Sequence, residues 1–249
     1  MSAKKRIHIL DEVRGFCVFC MVFDHALFTL GYMFGHSFSA LVFDLLAYIS
    51  PAFAATFVMM CGASCMLSRN NLKRGIRILS AALGVTIFSL FFMSDAPIIF
   101  GVLHLLGSCV ILYALVHKAI DKIPVGLGLT ACAVLFFLTY SIDTGYLGVA
   151  PFCIKLPDSI YDSGFLMMLG FRSPMSSYSD YFPLLPWMFA FFAGVFIGRY
   201  FTAEGLPQWV YKSRVPFFSL LGTNAFFVYI IHQPLIFGVY YLISLIGGI

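Results

Sequence analysis

The stretch Leu10–Asp11–Glu12–Val13–Arg14–Gly15–Phe16, continued by Met21–Val22–Phe23–Asp24–His25, decides what kind of fold this chain adopts. An arginine opens an apolar run, and a histidine follows eleven residues later inside it. Eleven residues of α-helix turn through about 1100°, only ~20° past three full turns, and rise ~16.5 Å. Arg14 and His25 therefore share one helical stripe, one near a membrane edge and one near the bilayer middle. Ionisable groups at that depth are costly, rare and usually functional. His36 repeats the offset. A helix continuing that far would carry Arg14, His25 and His36 on one stripe from face to face.

Composition points the same way. The chain of 249 residues is 61% hydrophobic and only 10% charged, and its mean hydropathy is +0.96. That balance excludes a water-soluble globular domain and predicts an all-α, polytopic integral membrane protein. The net charge of +4 is no nucleic-acid signal, because the basic residues sit in short loops where they set topology. Cys17, Cys20, Cys61, Cys65, Cys109 and Cys132 fall within apolar segments and Cys153 in a loop. Their scatter predicts neither a metal site nor a disulfide framework. Lys4, Lys5 and Arg6 precede an apolar run as in a signal peptide. However, Asp11, Glu12 and Arg14 interrupt the run and no small-residue cleavage site closes it, so it is expected to be an uncleaved first span.

About seven spans can be drawn from hydropathy, near residues 13–34, 50–67, 76–93, 100–117, 124–140, 183–199 and 218–247. The last is too long for one simple crossing, and a break is expected at Leu221–Gly222–Thr223–Asn224. Residues 37–49 read as a short amphipathic or re-entrant piece before Pro51. With the N-terminus cytoplasmic, only Lys155 and Arg172 of the 15 basic residues fall outside, as the positive-inside rule requires. The whole chain, 1–249, reads as a single domain. Its one long connection, 141–182, is then extracytoplasmic and carries Asp143, Asp158, Asp162 and Asp180. Connections of that length often serve as lids or binding loops.

The polar residues inside the spans are the candidate site. A free imidazole titrates near neutral pH, and His25 is a candidate general base toward an alcohol or amine. Asp24 can orient a histidine, carry a proton, or pair with Arg14 or a neighbouring helix. His36 is expected at the outer mouth. His104, in Phe100–Gly101–Val102–Leu103–His104, begins the fourth span. His232 and Gln233 precede Pro234, a proline that frees a helix carbonyl. Arg14, with Lys73 and Arg74 in an inside segment, can meet an anion. Gly194-x-x-x-Gly198 reads as a helix-packing signal. There is no Walker loop, nucleophile elbow, metalloprotease motif or dinucleotide fingerprint.

At these residues the chain resembles bacterial members of the heparan-α-glucosaminide N-acetyltransferase catalytic-domain family, in the broader transmembrane acyltransferase group. The matching pieces are Arg6-x-x-x-Leu10–Asp11–Glu12-x-Arg14–Gly15, Met21–Val22–Phe23–Asp24–His25 and Gly101–Val102–Leu103–His104. Phe182–Pro183–Leu184–Leu185–Pro186–Trp187 with Gly194-x-x-x-Gly198–Arg199, and Leu221–Gly222 with Tyr229–Ile230–Ile231–His232–Gln233–Pro234, complete them in order. The resemblance implies acetyl-CoA as co-substrate on the cytoplasmic side and an amino sugar or glycan acceptor on the outer side. In the eukaryotic enzymes an asparagine precedes the candidate catalytic histidine by eleven residues. Here that pair falls on His25 and His36, which leaves either as the base. The bacterial members are shorter than the eukaryotic lysosomal enzyme and lack its extra spans, which argues against heparan itself as acceptor.

The expectation is thus an acyl-CoA-dependent N- or O-acyltransferase, multi-pass in a bacterial cytoplasmic membrane. His25, His36, Asp24 and His104 are its catalytic candidates, and Arg14, Lys73, Arg74, His232 and Gln233 its cofactor-binding ones. Its partners would be acetyl-CoA, a sugar or glycan acceptor and the lipid bilayer, with a homodimer left open and no nucleic acid. A transporter or proton-coupled carrier using the same polar stripe is the alternative. Haem ligation by His25, His104 or His232 is a third reading.

Overall fold

The computed structural model describes residues 6–92, 95–202 and 206–247, so Lys4 and Lys5 lie outside the described residues. A bilayer core offers backbone groups no water, which leaves an apolar chain little choice but helix. The helices are α1 (His8–Phe28), α2 (Ser37–Leu46), α3 (Ser50–Cys65), α4 (Asn71–Phe92), α5 (Val102–Ile120) and α6 (Val125–Thr139). After a short hairpin, β1 (Tyr146–Val149) and β2 (Phe152–Lys155), come α7 (Leu184–Gly198), α8 (Pro216–Thr223) and α9 (Ala225–Leu245). Among the described residues, 6 helical segments are long and apolar enough to cross a membrane. Helices α2 and α3, bent by 58° at their junction, make a seventh if the pair is one span. The expected all-α polytopic architecture is therefore what forms.

Two details of the span pattern follow the sequence. The last apolar segment is broken at Asn224, between α8 and α9, where the Leu221–Asn224 stretch predicts it. The piece after His36 is a short separate helix, α2.

One expectation fails. Helix α1 is regular through Phe28, so Arg14 and His25 do share a stripe. At Thr29–Met33 the chain widens into a π-helical turn. The wider turn shifts the helical phase, so the offset of eleven no longer returns to the same face. Gly35 then takes a φ of +77°, a conformation that suits glycine, and the helix ends. His36 does not continue the stripe: it stands at the N-cap of α2, and its Nδ1 accepts from the Ser39 amide at 3.3 Å.

The described residues form two compact units, 6–60 with 206–247, and 61–202. In the first, α1 packs against α8, α9 and α2. Gly15 and Gly222 sit where the α1 and α8 backbones touch: a Cβ on Gly15 would overlap the Phe218 carbonyl, and one on Gly222 the Asp11 carbonyl. Glu12 is buried at the start of α8. Its carboxylate accepts from the amides of Arg214 at 2.6 Å and Val215 at 2.9 Å, and from the Ser213 hydroxyl at 2.9 Å. It thereby satisfies donors that a helix N-terminus leaves open, at the positive end of the helix dipole.

In the second unit α4 packs on α5, and α6 on α7. Small residues again set the distances. A Cβ on Gly107 would come within 2.9 Å of the Leu79 amide nitrogen, and one on Gly198 within 2.7 Å of the Ala63 carbonyl. The packing role read for Gly198 is thus the one it has. The connection 141–182 is structured: β1 and β2 pair antiparallel, with Val149 opposite Phe152 and Leu147 opposite Ile154. The Tyr161 hydroxyl donates to the Ile142 carbonyl, and the Tyr181 hydroxyl to the Met167 carbonyl at 2.6 Å.

Candidate functional site

In the first unit the polar residues of α1 meet those of α9. The imidazoles of His25 and His232 lie with ring centroids 5.0 Å apart, tilted by 53°. His25 is half-buried, and His232 is only 6% exposed. His232 Nδ1 is 2.6 Å from the Tyr229 carbonyl. A carbonyl only accepts, so Nδ1 carries the hydrogen, and Nε2 of the neutral ring is a bare lone pair. That Nε2 is buried with no hydrogen-bond partner among the described residues. Gln233 follows directly. Its amide nitrogen donates to Thr29 Oγ1 at 3.1 Å, and Thr29 is fully buried at 0% exposure. The Gln233 carbonyl oxygen, like His232 Nε2, is buried without a partner among the described residues. The Thr29 contact falls on the first residue of the π-helical turn, a type of distortion that clusters at functional sites.

Asp24, next to His25, accepts from the Ser50 hydroxyl at 2.9 Å. This links α1 to the start of α3, one of the neighbouring-helix pairings open to it from sequence.

Arg14 stands three helical turns from His25, about 16.5 Å along the axis. It is not a bare cation. Its Nε donates to the Gly222 carbonyl at 2.6 Å and its Nη2 to Asp11 at 2.5 Å, with 20% of the side chain exposed. Asp11 also receives Arg6 Nε at 2.7 Å, and Arg6 Nη2 reaches the Thr223 hydroxyl at 2.7 Å. Two guanidiniums share one carboxylate, so the Arg6–Asp11–Arg14 cluster keeps one positive charge (two cations less one anion). The sequence shows Asp11 and Glu12 as interruptions of the apolar run and as part of the family motif, without assigning either a role. In the fold one braces the arginines and the other holds α8.

His104, Lys73 and Arg74 belong to the second unit. His104 Nδ1 accepts from the Gly101 amide at 3.2 Å, so the neutral ring carries its hydrogen on Nε2, which lies 3.1 Å from the Thr86 hydroxyl. Thr86 donates in turn to the Ile98 carbonyl at 2.7 Å. Both nitrogens of His104 are therefore engaged in fixing the start of α5. Lys73 is exposed in the first turn of α4, where its amide donates to the capping Asn70 side chain at 2.9 Å. Arg74 turns toward the thiols of Cys61 at 3.4 Å and Cys65 at 3.7 Å.

The sequence readings thus divide. His25, His232 and Gln233 come together with Thr29 in one polar cluster, and Arg14 lies further along the same stripe. His36 caps α2. His104 has a closed set of partners of its own.

This arrangement occurs in a chain whose residues 6–234 match the model of the heparan-alpha-glucosaminide N-acetyltransferase catalytic family. No curated protein and no solved structure matches it. With all but the ends of its 249 residues covered, the chain belongs to the heparan-alpha-glucosaminide N-acetyltransferase catalytic family.

Proposed function

We propose that this acetyltransferase-type membrane enzyme moves an acetyl group from cytoplasmic acetyl-CoA to an amino sugar or glycan on the opposite face, as one catalytic domain. The observation that carries this reading is the meeting of His25, on the Arg14 stripe of α1, with His232 of α9: two imidazoles with ring centroids 5.0 Å apart between apolar helices, one held by a carbonyl with its other nitrogen unpartnered among the described residues.

The chemistry follows from the layout. A base, His25 or His36, takes a proton from the acceptor amine or hydroxyl. The acceptor's lone pair forms a C–N or C–O bond to the thioester carbonyl. The C–S bond breaks, and CoA leaves as a thiolate that recovers a proton. The residual positive charge of the Arg6–Asp11–Arg14 cluster fits the phosphates of CoA. From there a pantetheine arm, of similar length to the helical rise of ~16.5 Å, presents the thioester near His25. Lys73 and Arg74 are read as cytoplasmic by the positive-inside rule, and within their own unit His104 fixes the start of α5. The test is transfer from labelled acetyl-CoA to a panel of amino sugars and surface glycans by purified full-length protein. Absence of both CoA binding and transfer would favour the transporter reading.

Arg14→Ala is expected to weaken CoA binding by about tenfold or more, the loss of one charge-assisted contact. Calorimetry beside thermal melts separates that from unfolding. An unchanged affinity in a folded variant would remove Arg14 from the site.

The orientation has its own test. Cys153 is exposed on β2, whereas Cys17, Cys61, Cys65, Cys109 and Cys132 are buried. A membrane-impermeant maleimide added to intact cells should modify Cys153 and miss a cysteine placed at Lys73. The reverse pattern would turn the topology over.

A further inference from the structure

The His232–Gln233 cluster is short of donors, not of acceptors. In the first unit the two buried side-chain atoms that lack partners among the described residues are His232 Nε2 and Gln233 Oε1. His232 Nε2 is fixed as an acceptor by the bond its Nδ1 makes, and Gln233 Oε1, a carbonyl oxygen, only accepts. His232 gives its Nδ1 hydrogen to the Tyr229 carbonyl. Gln233 gives its amide hydrogen to Thr29 Oγ1. His232 is more than nine-tenths buried, and buried polar groups are ordinarily matched. The ring is neutral in this tautomer, so a carbonyl or an oxyanion placed against Nε2 would face a lone pair.

We propose, resting on the transferase reading above, that His232 Nε2 and Gln233 Oε1 form a subsite for an N–H donor of the substrates. Two groups in the reaction have that chemistry: the amine of an amino-sugar acceptor and the amides of the pantetheine arm. His232 is then a receiver of substrate N–H, and the tautomer lock from Tyr229 is what keeps it one. Neither His232 Nε2 nor Gln233 Oε1 can donate to a group that offers only acceptors.

The substitution His232→Asn keeps a side-chain N–H in the place of Nδ1, and with it the bond to Tyr229, but deletes the Nε2 acceptor. Affinities for two probes, coenzyme A and glucosamine, are measured by calorimetry on the detergent-solubilised full chain, with thermal melts as the folding control. His232→Asn should lose at least tenfold for one probe, and Gly238→Ala, on the same helix with nothing within 4 Å of an added Cβ, should lose none for the same probe. Loss for coenzyme A assigns the subsite to the pantetheine amides; loss for glucosamine assigns it to the acceptor amine. Unchanged affinity for both probes in a folded His232→Asn variant overturns the subsite.

Nitrogen-15 spectra of histidine-labelled wild type give a readout that needs no turnover. His232 should show the Nδ1–H tautomer with a bare Nε2, and its Nε2 resonance should move when the assigned probe is added. An Nε2–H tautomer, or a resonance that responds to neither probe, overturns the proposal. Probe binding at His232 with no acetyl transfer by wild type would sink the transferase reading and leave the subsite standing. Transfer with both affinities unchanged in His232→Asn would do the opposite.

Discussion

His25→Ala is expected to lower acetyl transfer by about 10²- to 10⁴-fold, the usual contribution of a general base, while the protein stays folded and still binds CoA. Three observations converge on this residue. It lies in the regular part of α1, so the offset from Arg14 survives in the fold. It is half-buried beside the His232 ring, in a cluster whose other members are neutral. It adjoins Asp24, which is tied to Ser50 of α3. An imidazole at that depth is available as a neutral base. CoA binding should persist, because the charged end of the stripe is three turns away. His36→Ala is the comparison. His36 is exposed, and its Nδ1 is occupied by the Ser39 amide, so its substitution should cost the start of α2 more than the reaction. If His36→Ala abolishes transfer and His25→Ala keeps most of it, the roles are exchanged. The eukaryotic pattern, with the second position as base, would then hold here too. Labelled acetyl-CoA, an amino-sugar panel and thermal melts on both variants decide the matter.

How much of this was readable beforehand depends on how far apart the partners are in the chain. Hydropathy and the spacing of charges locate the spans, because a bilayer imposes its thickness on each segment separately. The break before α9 shows in Gly222–Thr223–Asn224 for the same local reason. Arg14 and His25 could be placed on one stripe because both lie in one regular helix. His36 could not, since nothing in residue spacing reveals a π-helical turn at Thr29. Long-range partners are hidden altogether. Gln233 meets Thr29 across 204 residues, and Glu12 meets Arg214 across 202. The acids ahead of Arg14 therefore looked like flaws in an apolar run. The i,i+3 relation of Asp11 to Arg14 was the one local sign of their pairing. His104 is a milder case. Gly101, three residues ahead of it, stands at the N-cap, and that spacing suits a side chain folding back on the helix start.

Gly222→Val should prevent the protein from accumulating in a folded form, and Gly222→Ala should cost about 1–3 kcal/mol, the range for forcing extra atoms into a packed contact. The neighbours leave no alternative. A Cβ at Gly222 would overlap the Asp11 carbonyl and come within 2.8 Å of the Gly15 amide nitrogen. Both belong to the α1 backbone, which cannot swing aside as a flexible side chain could. Relief requires α8 to move off α1, and several ties depend on that approach. Arg14 would lose the Gly222 carbonyl, Arg6 the Thr223 hydroxyl, and Glu12 its hold on the start of α8. Glu12 would then be a buried carboxylate short of donors, which adds to the cost. Helix α9 begins at Ala225, directly after α8, so His232 would shift with it. Acetyl transfer should accordingly fall with stability in Gly222→Ala. Gly238→Ala is the control. Gly238 lies inside α9 with nothing within 4 Å of an added Cβ, so alanine there should be neutral or stabilising by up to about 1 kcal/mol. Melting and size-exclusion profiles of the three variants in one detergent make the comparison. A Gly222→Val protein that melts like wild type would mean that the α1–α8 contact does not hold this end of the molecule together.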